Sequence, residues 1–382
     1  MKICAYCGHE NDELLVHCSS CGTELPNPPS PPQELNPGST NVTPSLLDLT
    51  NIEGAFDFQD GFSRPNWQII ATAAEKIGDS DELALVWEEI IMQWLGRVAR
   101  ELGGGYGLHK SRNFAILSSL DVETVKRVLA FSEGSMAQIR DLLGEVAWGS
   151  HRGIQPVLIF SEEDDYYQYL SAFYPEGEHP TSRGIHLRGG YAHVALLYDN
   201  ELRSMQTIAH ELTHHCLAHL RLPRWLDEGV AQTLQKVVGE AYVPAAHHGQ
   251  SAAYWAIVSG WTPPVLWHEL AERHHQFWNS TRIQSFWAGT SFNHPGESVE
   301  LSYNLSEVII NLLPRNSSDF RAFLCSADLA DAGQTAALDC LGVCLGETAA
   351  TFLGPGDWRP RRKAIKECWA AKESANNKSE SL

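Results

Sequence analysis

Apolar residues recur at three- and four-residue steps through Leu83, Trp87, Ile90, Ile91, Trp94, Leu95, Val98 and Leu102, until Gly103, Gly104 and Gly105 interrupt them. That period predicts one long amphipathic helix from Ser80, ended by glycine. Short apolar runs and helical spacing then alternate: a strand over Phe114 to Leu117, a helix over Val122 to Leu143, a strand over Pro156 to Phe160, and a Tyr-rich helix over Glu162 to Tyr174. Gly184 to Leu187 and the apolar run inside Tyr191 to Tyr198 read as a hairpin turning at Arg188, Gly189 and Gly190. After residue 240 the pattern is mostly helical, notably over Val299 to Leu313, Phe320 to Ala327 and Thr335 to Leu341, and the last dozen residues are polar enough to predict disorder. The fold class expected is α+β, rich in helix, with a small mixed sheet.

Composition divides the chain. Seven of the nineteen prolines fall between Pro26 and Pro44, among Ser, Asn and Gly, so 26–45 reads as an extended linker. It joins a cysteine-rich module, 1–25, to one large domain, 46–358, followed by a basic segment and tail, 359–382. The best apolar run, Val308 to Leu313, falls far short of the roughly 20 residues that span a bilayer. A cysteine motif beginning at Cys4 leaves no room for a secretory signal, and the odd total of nine cysteines argues against a disulfide framework; a cytoplasmic address follows. The net charge of −19 repels phosphate backbones and anionic lipid, which excludes nucleic acid and membrane surfaces as partners. Arg359, Arg361, Arg362, Lys363 and Lys366 read as a solvated helix end.

The candidate chemistry lies in His210-Glu211-Leu212-Thr213-His214. Residues four apart on a helix lie about 40° apart around its axis, so both imidazoles point at one place. Glu211, about 100° round from His210, is near enough to reach a metal-bound water without ligating the metal. After a break suited to a turn, Trp225 begins a second helix able to bring Glu228 across as a third, oxygen ligand, leaving a fourth position open as catalytic zinc requires. Asp227 reads as a cap or outer acceptor and Gln232 as a possible partner for a liganding histidine. His215 and His219 project from another face and read as surface or outer residues.

The HExxH helix followed by Pro223-Arg224-Trp225-Leu226-Asp227-Glu228-Gly229-Val230-Ala231 resembles the gluzincin clan, especially its compact peptidase-MA-like members. The likeness is close over 205–235 and weaker around Tyr303-Asn304-Leu305-Ser306 and Ala336 to Gly342. Metzincins would need a third histidine at Leu220 and a glycine at Leu217. The resemblance and zinc chemistry imply hydrolysis of a protein or peptide substrate, with Glu211 taking a proton from zinc-activated water and handing it to the leaving amine. They also imply Tyr303 as the oxyanion-stabilising group, a buried core tyrosine being the alternative, and the strand from Ala192 to Tyr198 as the edge along which an extended substrate pairs.

Cys4-x-x-Cys7 and Cys18-x-x-Cys21 are paired knuckles, a pattern that predicts a closed four-thiolate zinc ribbon. With one Lys and no Arg against Glu10, Asp12, Glu13 and Glu24, the module suits docking to a protein partner better than binding nucleic acid. Two zinc ions are therefore expected, one catalytic and one structural. Cys340 and Cys344, amid Leu341, Val343 and Leu345, read as core. The rival reading is a catalytically silent zincin-fold protein that recruits partners through the ribbon.

Overall fold

The computed structural model describes residues 47–379 apart from 60, 78–79, 104, 148–152, 175–182, 189, 242–263, 294–295 and 315, together with three two-residue strands before them. Those strands are β1 (Lys2–Ile3), β2 (Glu10–Asn11) and β3 (Gln33–Glu34). β4 (Phe56–Gln59) and β5 (Phe62–Pro65) form an antiparallel hairpin, and β6 (Gly107–Lys110), β7 (Phe114–Ser118), β8 (Gln155–Phe160), β9 (Gly184–Leu187) and β10 (His193–Leu197) follow. A six-stranded mixed sheet has the order β3, β6, β7, β8, β10, β9. Its middle strands β7, β8 and β10 are parallel, and the flanking pairs are antiparallel.

Helices surround this sheet: α1 (Trp67–Ala74), α2 (Ser80–Leu102), α3 (Val122–Leu143), α4 (Glu163–Ser171), α5 (Glu201–Leu217) and α6 (Arg224–Ala241), then α7 (Pro264–Phe277), α8 (Ile283–Trp287), α9 (Glu297–Leu312), α10 (Ser317–Ser326), α11 (Leu345–Leu353) and α12 (Arg362–Ser379). The sheet's period of two sends alternate residues to opposite cores. Ile116, Ile159 and Leu196 join the larger core with residues of α3, α5, α6 and α9, whereas Leu117, Leu158 and Leu197 join a second core with α2 and α4. Central strands covered on both faces must be apolar throughout, which is why β7, β8 and β10 lack the alternation of a half-exposed strand.

The long helix and both strand-helix pairs lie where the periodicity predicts. The hairpin β4–β5, helix α1 and strand β6 were not predicted, because each is short and mixes polar with apolar residues. Gln33–Glu34, inside the stretch read as a linker, pairs with β6. Within the last dozen residues, expected to be disordered, α12 continues to Ser379, and 380–382 lie outside the described residues. Three basic residues of the C-terminal segment have carboxylate partners, Arg359 with Glu347, Arg362 with Asp331 and Lys363 with Glu367, and Arg361 donates to Ser280 O. Cys216, Cys325, Cys340, Cys344 and Cys368 are free thiols, while Cys4, Cys7, Cys18 and Cys21 lie outside the described residues. No single described helix is long and apolar enough to cross a membrane.

Candidate metal centre

Helix α5 opens where the Asn200 side chain accepts the N–H of Arg203, and it packs Met205, Ile208, Ala209 and Leu212 into the larger core. That fixes the helix's rotation and leaves His210, Glu211 and His214 facing its neighbours. Helix α6 starts immediately after Pro223, and Trp225, fully buried, anchors its first turn by donating Nε1–H to Ala332 O at 3.0 Å. Gly229 lets α6 approach α9 closely: a Cβ there would lie 2.8 Å from Ser306 O and 2.7 Å from Ile310 Cγ1. Glu228 is thereby held against both histidines, and Tyr303 on α9 against Glu228.

The three donor atoms form an almost equilateral triangle. His210 Nε2 lies 3.1 Å from His214 Nε2 and 3.4 Å from Glu228 Oε2, and His214 Nε2 lies 3.3 Å from Glu228 Oε2. A tetrahedral ion with bonds of roughly 2.0–2.1 Å has donor-to-donor edges of about 3.3–3.4 Å, so these side chains fit a divalent metal without rearrangement. His210, His214 and Glu228 are also the only His, Cys, Asp and Glu group among the described residues that gathers three potential ligand atoms within 4.8 Å. Glu228 Oε2, buried, has no hydrogen-bond partner. Buried acceptors aimed at one another are costly unless a cation lies among them.

Electrostatics agree with the geometry. Burial works to lower the pKa of His214, but the carboxylates of Asp227 and Glu228 outweigh it and raise it well above the ordinary value. Burial works in the opposite sense on Glu228, and His214 and His210 overcome it, holding that carboxyl well below its usual range. The cluster therefore attracts positive charge. Glu211, 7% exposed, has its pKa raised by burial, partly offset by His210 and His214, and its carboxylate accepts the backbone N–H of His186 on β9.

Around this triangle the partners are divided by atom. His214 Nδ1 faces Asp227 Oδ1 at 3.0 Å, and Asp227 Oδ2 accepts from Arg188 at 3.0 Å. Asp227 is thus the outer acceptor expected of it. Gln232 holds neither imidazole, because Asp227 takes His214 and His210 Nδ1 is buried without a hydrogen-bond partner. The Tyr303 hydroxyl donates to Glu228 Oε1 at 3.3 Å, and Arg224 Nε lies 3.5 Å from the same oxygen. One oxygen of Glu228 faces the histidines and the other is fixed from behind. Arg224 was missed in the sequence, although its place four residues before Glu228 on a helix is the signal for such a pair. His215 is not a surface residue: it is buried, with Nδ1 3.4 Å from His186 Nε2, while His219 is exposed.

The structure also corrects the expected substrate edge. β10, within the stretch Ala192 to Tyr198, is bonded on one side to β8 and on the other to β9, so it offers no free edge. The outermost strand beside α5 is β9. Gly184, at its start, packs so closely on α5 that a Cβ would lie 2.2 Å from Thr207 Cγ2 and 3.6 Å from Glu211 Oε1. No protein-family model, curated protein or solved structure matches this chain, and the site is therefore read from its own geometry.

Proposed function

We propose that the chain is a zinc-dependent peptidase of the gluzincin type, with His210, His214 and Glu228 as metal ligands and Glu211 as general base. The observation that carries the reading is the donor triangle, with edges of 3.1, 3.3 and 3.4 Å, beside a buried carboxylate that is not part of it. Two imidazoles and one carboxylate with a fourth position left open are the donor set of a catalytic rather than a structural zinc site. Zinc bound there would acidify water and polarise a carbonyl. Glu211 takes up the proton on its carboxylate and delivers it to the leaving amine, and burial favours that role by raising its proton affinity. Asp227 fixes the tautomer of His214, and Tyr303 with Arg224 fixes the rotamer of Glu228. In this reading the one Tyr303 O–H proton turns from Glu228 Oε1 to the oxyanion as the carbonyl is attacked, and Arg224 keeps its hold on Glu228. An extended peptide pairs with the outer edge of β9 through main-chain hydrogen bonds.

Glu211→Gln tests the reading. It preserves size and hydrogen bonding but cannot take a proton, so turnover of a peptide library should fall by roughly 100- to 10,000-fold while bound zinc stays unchanged. Full activity in that variant would remove Glu211 as base. A zinc-loaded wild type that cleaves nothing would favour the silent binding protein instead.

A further inference from the structure

Beyond the C-terminal end of β9 the chain builds a cavity of about 540 Å³ that the proposed chemistry does not use. Three rings from separate parts of the sequence share it: Trp67 of α1, Trp87 of α2 and Tyr191 of the β9–β10 turn. Their centroids lie 5.6–6.3 Å apart with tilts of 31–39°: Trp87, buried at 3% exposure, backs Trp67 and Tyr191, which are half-buried and carry the accessible part of an aromatic wall. The backbone is shaped for that wall. Gly190 has φ +75° and lies under Trp67 so closely that a Cβ would fall 1.6 Å from its Cδ1, and Gly153, at φ +107°, would bring a Cβ to 3.1 Å from Trp87 Cβ. Only glycine permits both conformations and both approaches.

The cavity is joined to the metal centre. Arg188, on its rim, donates to Asp227, which holds His214, and His215 of α5 contributes to its lining. Its size falls within the roughly 300–1,000 Å³ of small-ligand pockets. Rings of this kind favour a planar apolar group, which packs against them by stacked or edge contacts. The orientation comes from antiparallel pairing with β9, the more stable arrangement per residue. A peptide pairing antiparallel to it runs from the Arg188 end toward Gly184, so its N-terminal residues lie nearest the cavity and its later residues pass Glu211.

We infer that this cavity takes an aromatic side chain of an extended peptide substrate, at one position N-terminal to the scissile bond. The inference rests on the peptidase reading and supplies its substrate class. It is tested with full-length, zinc-loaded Glu211→Gln protein and blocked ten-residue peptides in which a single phenylalanine is walked through an alanine and serine background. Calorimetry should show one position that tightens binding about tenfold or more over the parent peptide. Trp67→Leu, which removes part of the wall, and Ala71→Leu, which fills the space from α1, should each abolish that gain while leaving the parent peptide's affinity unchanged. A flat scan, or a preference that survives both substitutions, overturns the inference even if wild-type protein cleaves the peptides. A positional preference without cleavage by zinc-loaded wild type leaves the cavity as an aromatic peptide site and overturns the peptidase reading instead.

Discussion

Two pairs of histidines in this molecule have opposite chemistry. His193 sits between strand and helix with Nδ1 3.0 Å from Tyr191 O and Nε2 2.8 Å from the Tyr169 hydroxyl. His274 on α7 has Nε2 2.8 Å from Asn304 Oδ1 and accepts Trp278 Nε1–H on Nδ1 at 3.0 Å. Each ring has one donating and one accepting nitrogen, the complement of a neutral imidazole, and burial pushes both pKa values down to about 4. His210 and His214 instead aim Nε2 at each other and at Glu228 Oε2. Burial alone does not mark a metal site. Ring nitrogens that converge on one another and on a carboxylate make a candidate for one.

The contrast is broken most directly by removing the carboxylate. In Glu228→Ala the triangle loses a corner and His214 loses one of the two groups that raise its pKa. Zinc affinity at the proposed centre should fall by more than the roughly 10- to 100-fold typical of losing an outer partner, and the turnover proposed for it should fall as well. Competition with a coloured chelator measures the affinity. Unchanged zinc binding would show that the triangle is not the ligand set.

Asp227→Asn should have a smaller effect on the same quantity. The amide keeps the shape but removes the charge facing His214 Nδ1 and Arg188, so zinc affinity should drop by roughly 10- to 100-fold with the ligands intact. An effect as large as that of Glu228→Ala would make Asp227 a ligand, and no effect would leave His214 oriented by packing alone.

Much of this centre was legible in the sequence because helical geometry converts spacing into direction. His210, Glu211 and His214 needed only the 3.6 period, and Glu228 needed only a turn and a second helix. Pairing order was not legible. Nothing in the apolar run of β10 distinguishes an interior strand from an edge, because strand neighbours are chosen by crossovers between distant segments, and so the edge was assigned to the wrong half of the hairpin. His186 on β9 and Arg188, which follows the strand, came to the site by that same pairing. Trp67 and Trp87, on different helices, reach the aromatic wall only through tertiary packing.

The smallest effect concerns the neutral pair, and it appears in stability rather than activity. With an unfolded pKa near 6.5 and a folded pKa of about 4, His274 is neutral in both states above about pH 6.5 and costs nothing there. As pH falls from about 6.5 toward 4 the unfolded chain takes up a proton that the folded chain refuses, so stability is present at neutral pH and lost on acidification. At pH 5 the loss is about 2 kcal/mol for each such histidine, and His193 adds a similar amount. Replacing His274 with Gln, which can still donate to Asn304, removes one titration. Urea unfolding of wild-type and His274→Gln protein near pH 7.5 and pH 5 should show the wild type losing about 2 kcal/mol more across that interval, whatever the substitution costs at neutral pH. Equal losses would mean that His274 takes up its proton in the folded state, and the distinction between satisfied and converging histidines would not hold on α7.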